Sequence, residues 1–314
     1  LTVLSFPLFL LLLLLLQLGV ILFSDILTPF PAMGIQFDIA EGGNITIDTP
    51  IRTRHDFDSL LQRWNEEDES VFPAFVGQVL QELRQEVKNT ATVIGFIGLP
   101  FTVASYVIEG QTGTTTGFPQ IQQLIEHDPA LFHDILAVVA HNLALYACYQ
   151  IKHGAQLIQV FDSWAGYLPD AQYQEFVVPY QQQVIATIKQ HSPTTPIIIY
   201  MAPGPYSRKG RRLPQLGRTG ADIVSIDHTV DLITARSLLP ASVGVQGNLD
   251  PALLRDGPPE TIRRATEHLL ASHDQQQAVG APFILNLGHG MDKETPEAHA
   301  AVFVNTVQDY QNNK

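Results

Sequence analysis

Gly19-Val20-Ile21-Leu22-Phe23-Ser24-Asp25 is a short apolar run that ends in a hydroxyl and an acid. Such a run, bounded by turn formers, reads as a strand buried on both faces. The same grammar recurs along the chain. Apolar runs at residues 20–23, 93–97, 157–161, 197–201, 223–226, 243–246 and 283–287 predict seven strands. Between them lie stretches with helical periodicity. Val76, Val79, Leu80, Leu83 and Val87 form one stripe. Residues 131–151 predict a long buried helix, and residues 176–188 and 261–270 are amphipathic. Pro259 and Pro296 stand where helices begin. Strands alternating with helices predict the α/β class with a parallel sheet. The count is one short of a closed (β/α)8 barrel. The spacing places the missing first strand before Val20, where another apolar run now stands.

Composition narrows the function classes. The chain has 314 residues, 45% hydrophobic and 16% charged, which excludes disorder as its dominant state. A single barrel of about 250 residues fits inside it. A formal net charge of −13 argues against a nucleic-acid partner, which would need a basic face. One cysteine, Cys148, excludes a disulfide framework and a cysteine-built metal site. The histidines form no His-x-x-x-His pair, so no metal is expected. Residues 1–18 are uncharged, include a leucine run at 10–16, and lack a basic leader or an initiator Met. They read as an atypical apolar segment, a fragment end or a mis-joined piece, rather than a membrane anchor. Residues 19–314 then form one barrel domain, with no membrane partner expected.

The polar residues fall at the strand ends. Ser24-Asp25, Gly98, Asp162-Ser163, Asp227, Gly247-Asn248 and Gly288-His289-Gly290 each follow an apolar run. In a parallel barrel these ends form one face, and active sites are built there. Asp25 fits a turn cap or a catalytic group equally well. Spacing alone favours Asp162 and Ser163 as turn formers. His289 lies between two glycines, which let a backbone approach a ligand, although a structural histidine fits as well. The one basic cluster, Arg208-Lys209-Gly210-Arg211-Arg212, reads as a solvated loop. Asn44-Ile45-Thr46 fits a glycosylation sequon but reads as chance. The polar loop at 110–116 lacks the glycine-rich phosphate patterns.

Five stretches together resemble the uroporphyrinogen decarboxylase family. They are Ile21-Leu22-Phe23-Ser24-Asp25-Ile26-Leu27-Thr28-Pro29, then Gly95-Phe96-Ile97-Gly98 through Tyr106-Val107-Ile108-Glu109-Gly110, then Phe161-Asp162-Ser163-Trp164-Ala165-Gly166. Val245-Gln246-Gly247-Asn248-Leu249-Asp250-Pro251 and Leu285-Asn286-Leu287-Gly288-His289-Gly290 complete the set, in family order. The resemblance implies a (β/α)8 barrel, a homodimer, and no cofactor. It implies loss of CO2 from the four acetate groups of uroporphyrinogen III, giving coproporphyrinogen III on the route to haem and chlorophyll. Protonating a pyrrole ring carbon makes the ring an electron sink. The enzyme must then steady a cation, hold carboxylates and supply protons. The family's aspartate, matched by Asp25, accepts the pyrrole N–H groups and faces the cation. Its tyrosine, serine and histidine map onto Tyr106, Ser163 and His289. These bind substrate carboxylates, with Tyr106 and His289 beside the reacting group.

The chain also departs from the family. The Arg-Gln-Ala-Gly-Arg-Tyr segment at the first strand has no match, and no arginine precedes Arg52. Those arginines bind substrate carboxylates, so the 314-residue form is expected to be inactive or poorly folded. Phe101 and His228 stand where the family usually has tryptophan. The basic cluster at 208–212 could compensate for the missing arginines. The alternative function is a catalytically degenerate paralogue that binds tetrapyrroles. A corrinoid- or zinc-dependent methyltransferase of the same superfamily is disfavoured by the single cysteine. The wording around Phe161 is nearer to cyanobacterial and plant members, which points to a plastid, with the cytoplasm as the other setting.

Overall fold

The computed structural model describes residues 19–22, 24–40, 44–62, 71–111, 117–275 and 281–312. The apolar segment 1–18, Phe23 and the loop residues 112–116 therefore lie outside the described residues. The chain divides into two compact units, residues 1–197 and 198–314.

The first unit contains β1 (Gly19–Ile21), a hairpin of β2 (Phe37–Ile39) and β3 (Ile45–Ile47), α1 (Arg54–Leu61), α2 (Ala74–Val87), β4 (Thr92–Gly98), α3 (Pro100–Glu109) and α4 (Pro119–His127). It continues through α5 (Pro129–Lys152), β5 (Leu157–Phe161), α6 (Asp170–Phe176) and α7 (Val178–His191). β1 lies parallel to β4, with Val20 opposite Val93, and β4 lies parallel to β5, with Gly98 opposite Phe161. The sequence reading placed these strands correctly to within two residues. β5, and β4 beyond Thr92, are largely buried on both faces, so hydrophobicity there runs without strict alternation. The hairpin was not foreseen. It pairs Phe37 with Ile47 in antiparallel fashion and is tied to α3 by Ile47 N–H donating to the Gly110 carbonyl. The predicted helix at 176–188 is α7, which begins two residues later at Val178 with Pro179 in its first turn, and α6 is a separate short helix before it that ends at Phe176. α5 is long and apolar enough to cross a membrane, but most of it is buried within the protein, against α7, α3 and β4. It behaves as the core helix the sequence predicts.

The second unit contains β6 (Ile197–Tyr200), which begins at the boundary, then α8 (Leu213–Leu216), β7 (Ile223–Ser225), α9 (Leu232–Leu238), β8 (Gly244–Leu249), α10 (Pro251–Asp256), α11 (Pro259–Asp274), β9 (Phe283–Leu287) and α12 (Glu297–Asn312). β6, β7, β8 and β9 are parallel and paired in chain order. Asp231 and Asp250 cap α9 and α10 by accepting the N–H groups of Thr234 and Ala252. Leu249, Leu254 and Ile262 seal the helix layer onto β8, with Leu287 and Phe303 against them. Outside the hairpin, the paired strands within each unit run parallel, so their carboxyl ends emerge on one side of that unit.

Candidate active site

In the first unit the candidate site residues follow the ends of β1, β4 and β5. Asp25 sits just past β1 and is exposed. Its Oδ1 accepts the Leu27 N–H at 2.8 Å, and its carbonyl accepts the Thr28 N–H at 3.0 Å. Asp25 therefore is the turn cap that spacing allowed. It is also electrostatically coupled to Tyr106, since its charge adds to the shift of the phenol. The turn is held from both sides. Ser24 hydrogen-bonds the buried Tyr146 on α5. Ile26 packs where a side chain on Gly98 would stand: a Cβ there would lie 3.3 Å from the Ile26 Cβ.

Tyr106 is half-buried on α3. Burial, and then the Asp25 charge, push its pKa up to about 12. The phenol is therefore a neutral hydrogen-bond donor across the physiological range. Its ring packs on Trp164 at a centroid distance of 4.3 Å. One turn back on the same face of α3, Thr102 donates its hydroxyl to Asp162 at 2.7 Å and accepts the Trp164 N–H at 3.1 Å. Asp162 is fully buried. It accepts from Thr102 N–H as well, at 3.3 Å, and from Gln181 Nε2 at 2.8 Å. This corrects the turn-former reading of Asp162, because a buried carboxylate with three donors is a structural junction. Ser163, between Asp162 and Trp164, is held on both sides. It is half-buried, and its hydroxyl has no partner among the described residues. Asp25, Tyr106 and the Ser163–Trp164 turn thus share one region of this unit.

His289 belongs to the second unit, at the end of β9, where it is exposed. Its ring meets Tyr200, at the end of β6, edge to face at 6.3 Å. The Tyr200 hydroxyl donates to the Gly288 carbonyl at 3.4 Å. Burial, and then Asp227 at the end of β7, raise the Tyr200 pKa. The glycine before His289 has a simpler reason than ligand approach. A Cβ on Gly288 would lie 2.3 Å from the His228 backbone nitrogen, so two chain segments touch there. Gly290 has open space around its Cβ position, so the freedom proposed for it stays available. The basic cluster is not wholly solvated either: Arg212 is only 1% exposed, although Arg208, Lys209 and Arg211 are exposed. The sequence reading missed Thr102, Gln181 and Tyr200. Thr102 had a signal, its four-residue spacing from Tyr106. Gln181 had none, because nothing local marks a helix glutamine that bonds to a strand end. Among the described residues no group of three or more His, Cys, Asp or Glu side chains is placed to hold a metal.

Residues 19–310 match the family described as Uroporphyrinogen decarboxylase (URO-D). A curated relative named uroporphyrinogen decarboxylase from Prochlorococcus marinus (strain MIT 9211) is 46% identical over 285 residues, covering 91% of this chain and 76% of its own. One of the same name from Nostoc sp. (strain PCC 7120 / SAG 25.82 / UTEX 2576) is 43% identical over 297 residues, covering 92% and 78%. Among solved structures, a methyltransferase from Methanosarcina mazei matches with a TM-score of 0.70 and 16% identity, over 93% of this chain and 80% of its own. At that identity the likeness speaks for the fold, the α/β barrel class, and not for the chemistry.

Proposed function

The chain belongs to the uroporphyrinogen decarboxylase family, and from that premise we propose how its residues remove the four acetate carboxyl groups of uroporphyrinogen III. The product is coproporphyrinogen III. A proton adds to the ring carbon beside the pyrrole nitrogen, giving a cation. The acetate C–C bond then breaks, and its electron pair neutralises the ring as CO2 leaves. A second proton converts the exocyclic carbon to a methyl group, and the first leaves the ring. No net electrons are exchanged, so the balance calls for no redox partner.

The observation that carries the assignment is the coupling of the Asp25 carboxylate to the neutral Tyr106 phenol at one strand-end face. Asp25 commits Oδ1 to its own turn, leaving the rest of the carboxylate to face pyrrole N–H groups and the cation. Tyr106 and Ser163 donate to substrate carboxylates. The family resemblance assigns His289 to a substrate carboxylate beside the reacting group. A homodimer belongs to this proposal on the strength of the family resemblance, and sedimentation velocity checks it. The cyanobacterial relatives support a plastid or cytoplasmic setting.

The test is direct. Incubated anaerobically with uroporphyrinogen III and no added cofactor, the full-length protein is expected to yield coproporphyrinogen III through partly decarboxylated intermediates. Absence of any carboxylate loss overturns the reading and favours the degenerate paralogue. Tyr106→Phe keeps the ring on Trp164 and removes only the donor. It is expected to lower kcat/KM by about tenfold to a hundredfold, the size of one hydrogen bond to a charged group. An unchanged kcat/KM removes Tyr106 from the site.

A further inference from the structure

The loop after β6 carries four cations in five residues, on a chain with 18 Lys and Arg against 31 Asp and Glu. Its base is fixed. Ser207 Oγ accepts the Gly204 N–H at 2.6 Å, and the Ser207 N–H donates back to the Gly204 carbonyl at 3.1 Å. Lys209 and Gly210 both take left-handed backbone, at φ 57° and 73°, which turns the chain sharply. Gly210 packs tightly there, since a Cβ would lie 3.0 Å from Leu213 and 3.3 Å from Val230. Arg212 is buried beside Leu213 and Leu216, and lines a small cavity with Ser225 and Asp227 at the end of β7. The loop therefore stands on the carboxyl-end side of this unit, on the strand whose last residue, Tyr200, meets His289.

The cations at its tip differ from arginines elsewhere. Arg52 holds the Ile108 and Glu109 carbonyls, Arg54 pairs with Asp134, and Arg255 pairs with Asp256 and Asp292. Arg208 and Lys209 are exposed and have no ion pair or side-chain hydrogen bond among the described residues. An acidic chain that gathers uncommitted cations on a braced turn at the carboxyl-end side of its strands has prepared a local anion site against its own field.

We infer that Arg208 and Lys209 bind peripheral carboxylates of the porphyrinogen, deepening the functional reading above, on which this inference rests. A guanidinium and an ammonium suit a ligand that carries several separate carboxylates. Because both groups are exposed, the attraction weakens with salt.

The test uses the full chain and measures equilibrium binding of uroporphyrin, the oxidised octacarboxylate, at low and high ionic strength. Arg208→Ala combined with Lys209→Ala is expected to weaken binding about tenfold at low salt and to flatten the salt dependence. Arg264→Ala, an exposed residue paired with Glu260 on α11, serves as the control and leaves binding unchanged. Equal affinity of the double variant and wild type, to within twofold, overturns the inference. So does an equal loss in the control. Turnover is scored separately: wild type that binds the octacarboxylate but releases no CO2 overturns the decarboxylase reading, while the double variant still decides the role of the loop. In an active enzyme the double variant raises KM with kcat nearly kept. A fall in kcat at unchanged KM also rejects it.

Discussion

Asp25→Asn is expected to lower kcat by about a thousandfold or more while leaving the fold intact. A preorganised charge at a developing charge is commonly the largest single contribution to catalysis, and deleting one donor alone costs roughly 10^2 to 10^3. A full carboxylate facing a cation sits at the upper end of that range. Asparagine keeps an oxygen to accept the Leu27 N–H, so the turn that holds Ser24 and Ile26 survives. Asp25→Ala loses both the charge and the turn acceptor, and it is expected to abolish turnover with some loss of stability. The pair separates chemistry from structure, because only the alanine variant should lower Tm appreciably. A second readout needs no substrate. The Asp25 charge contributes to holding the Tyr106 phenol up near 12, after burial. In Asp25→Asn one spectroscopically titrated tyrosine should shift downward. An asparagine variant that retains a tenth of wild-type kcat would refute the role assigned to Asp25.

The sequence carried this site unevenly, for physical reasons. Strand ends were legible because buried parallel strands are uninterrupted apolar runs, and the first polar residue after each marks the carboxyl face. Asp25 and His289 stand out as candidates that way, while the roles of Tyr106 and Ser163 come from the resemblance. The hairpin was not legible: Phe37-Asp38-Ile39 and Ile45-Thr46-Ile47 alternate over only three residues each, too short for a period to stand out. The burial of Arg212 was hidden because nothing local distinguishes it from Arg211. Arg212 is buried, lining a small cavity with Leu213, Leu216, Ser225 and Asp227, residues that follow it in the chain or stand at the end of β7. Asp162 was misread for a related reason. An aspartate after a strand is ordinarily a turn former, and its true partners lie 60 residues before it and 19 residues after it.

That long-range junction makes Asp162 the second large lever. Burial pushes its pKa up to about 6, against the opposing pull of the Thr102 and Gln181 hydrogen bonds. The folded value therefore lies above the ordinary carboxylate value. Below about pH 4 both folded and unfolded chains hold this proton. Between about pH 4 and pH 6 the unfolded chain releases it first, so this group's contribution to stability falls as pH rises and is level above that window. Asp162→Asn removes the titration, and the fall across that window should vanish from urea-denaturation midpoints. The substitution has its own cost. One side of an asparagine must present an NH2 where a donor already points. Gln181 cannot simply turn its amide round, because its Oε1 accepts from the Tyr173 hydroxyl at 3.2 Å. One buried hydrogen bond is lost, a destabilisation of about 2 kcal/mol above pH 6, offset by the charge no longer buried. Asp162→Ala strands three donors at once and should cost about 3 kcal/mol or more. It also frees the Thr102 hydroxyl that orients the Trp164 N–H, and with it the ring beneath Tyr106 and the backbone on either side of Ser163. Displacement of that order is expected to lower kcat about a hundredfold, with asparagine restoring much of it. If alanine leaves kcat at the wild-type level, Asp162 braces the fold without setting the geometry of the site.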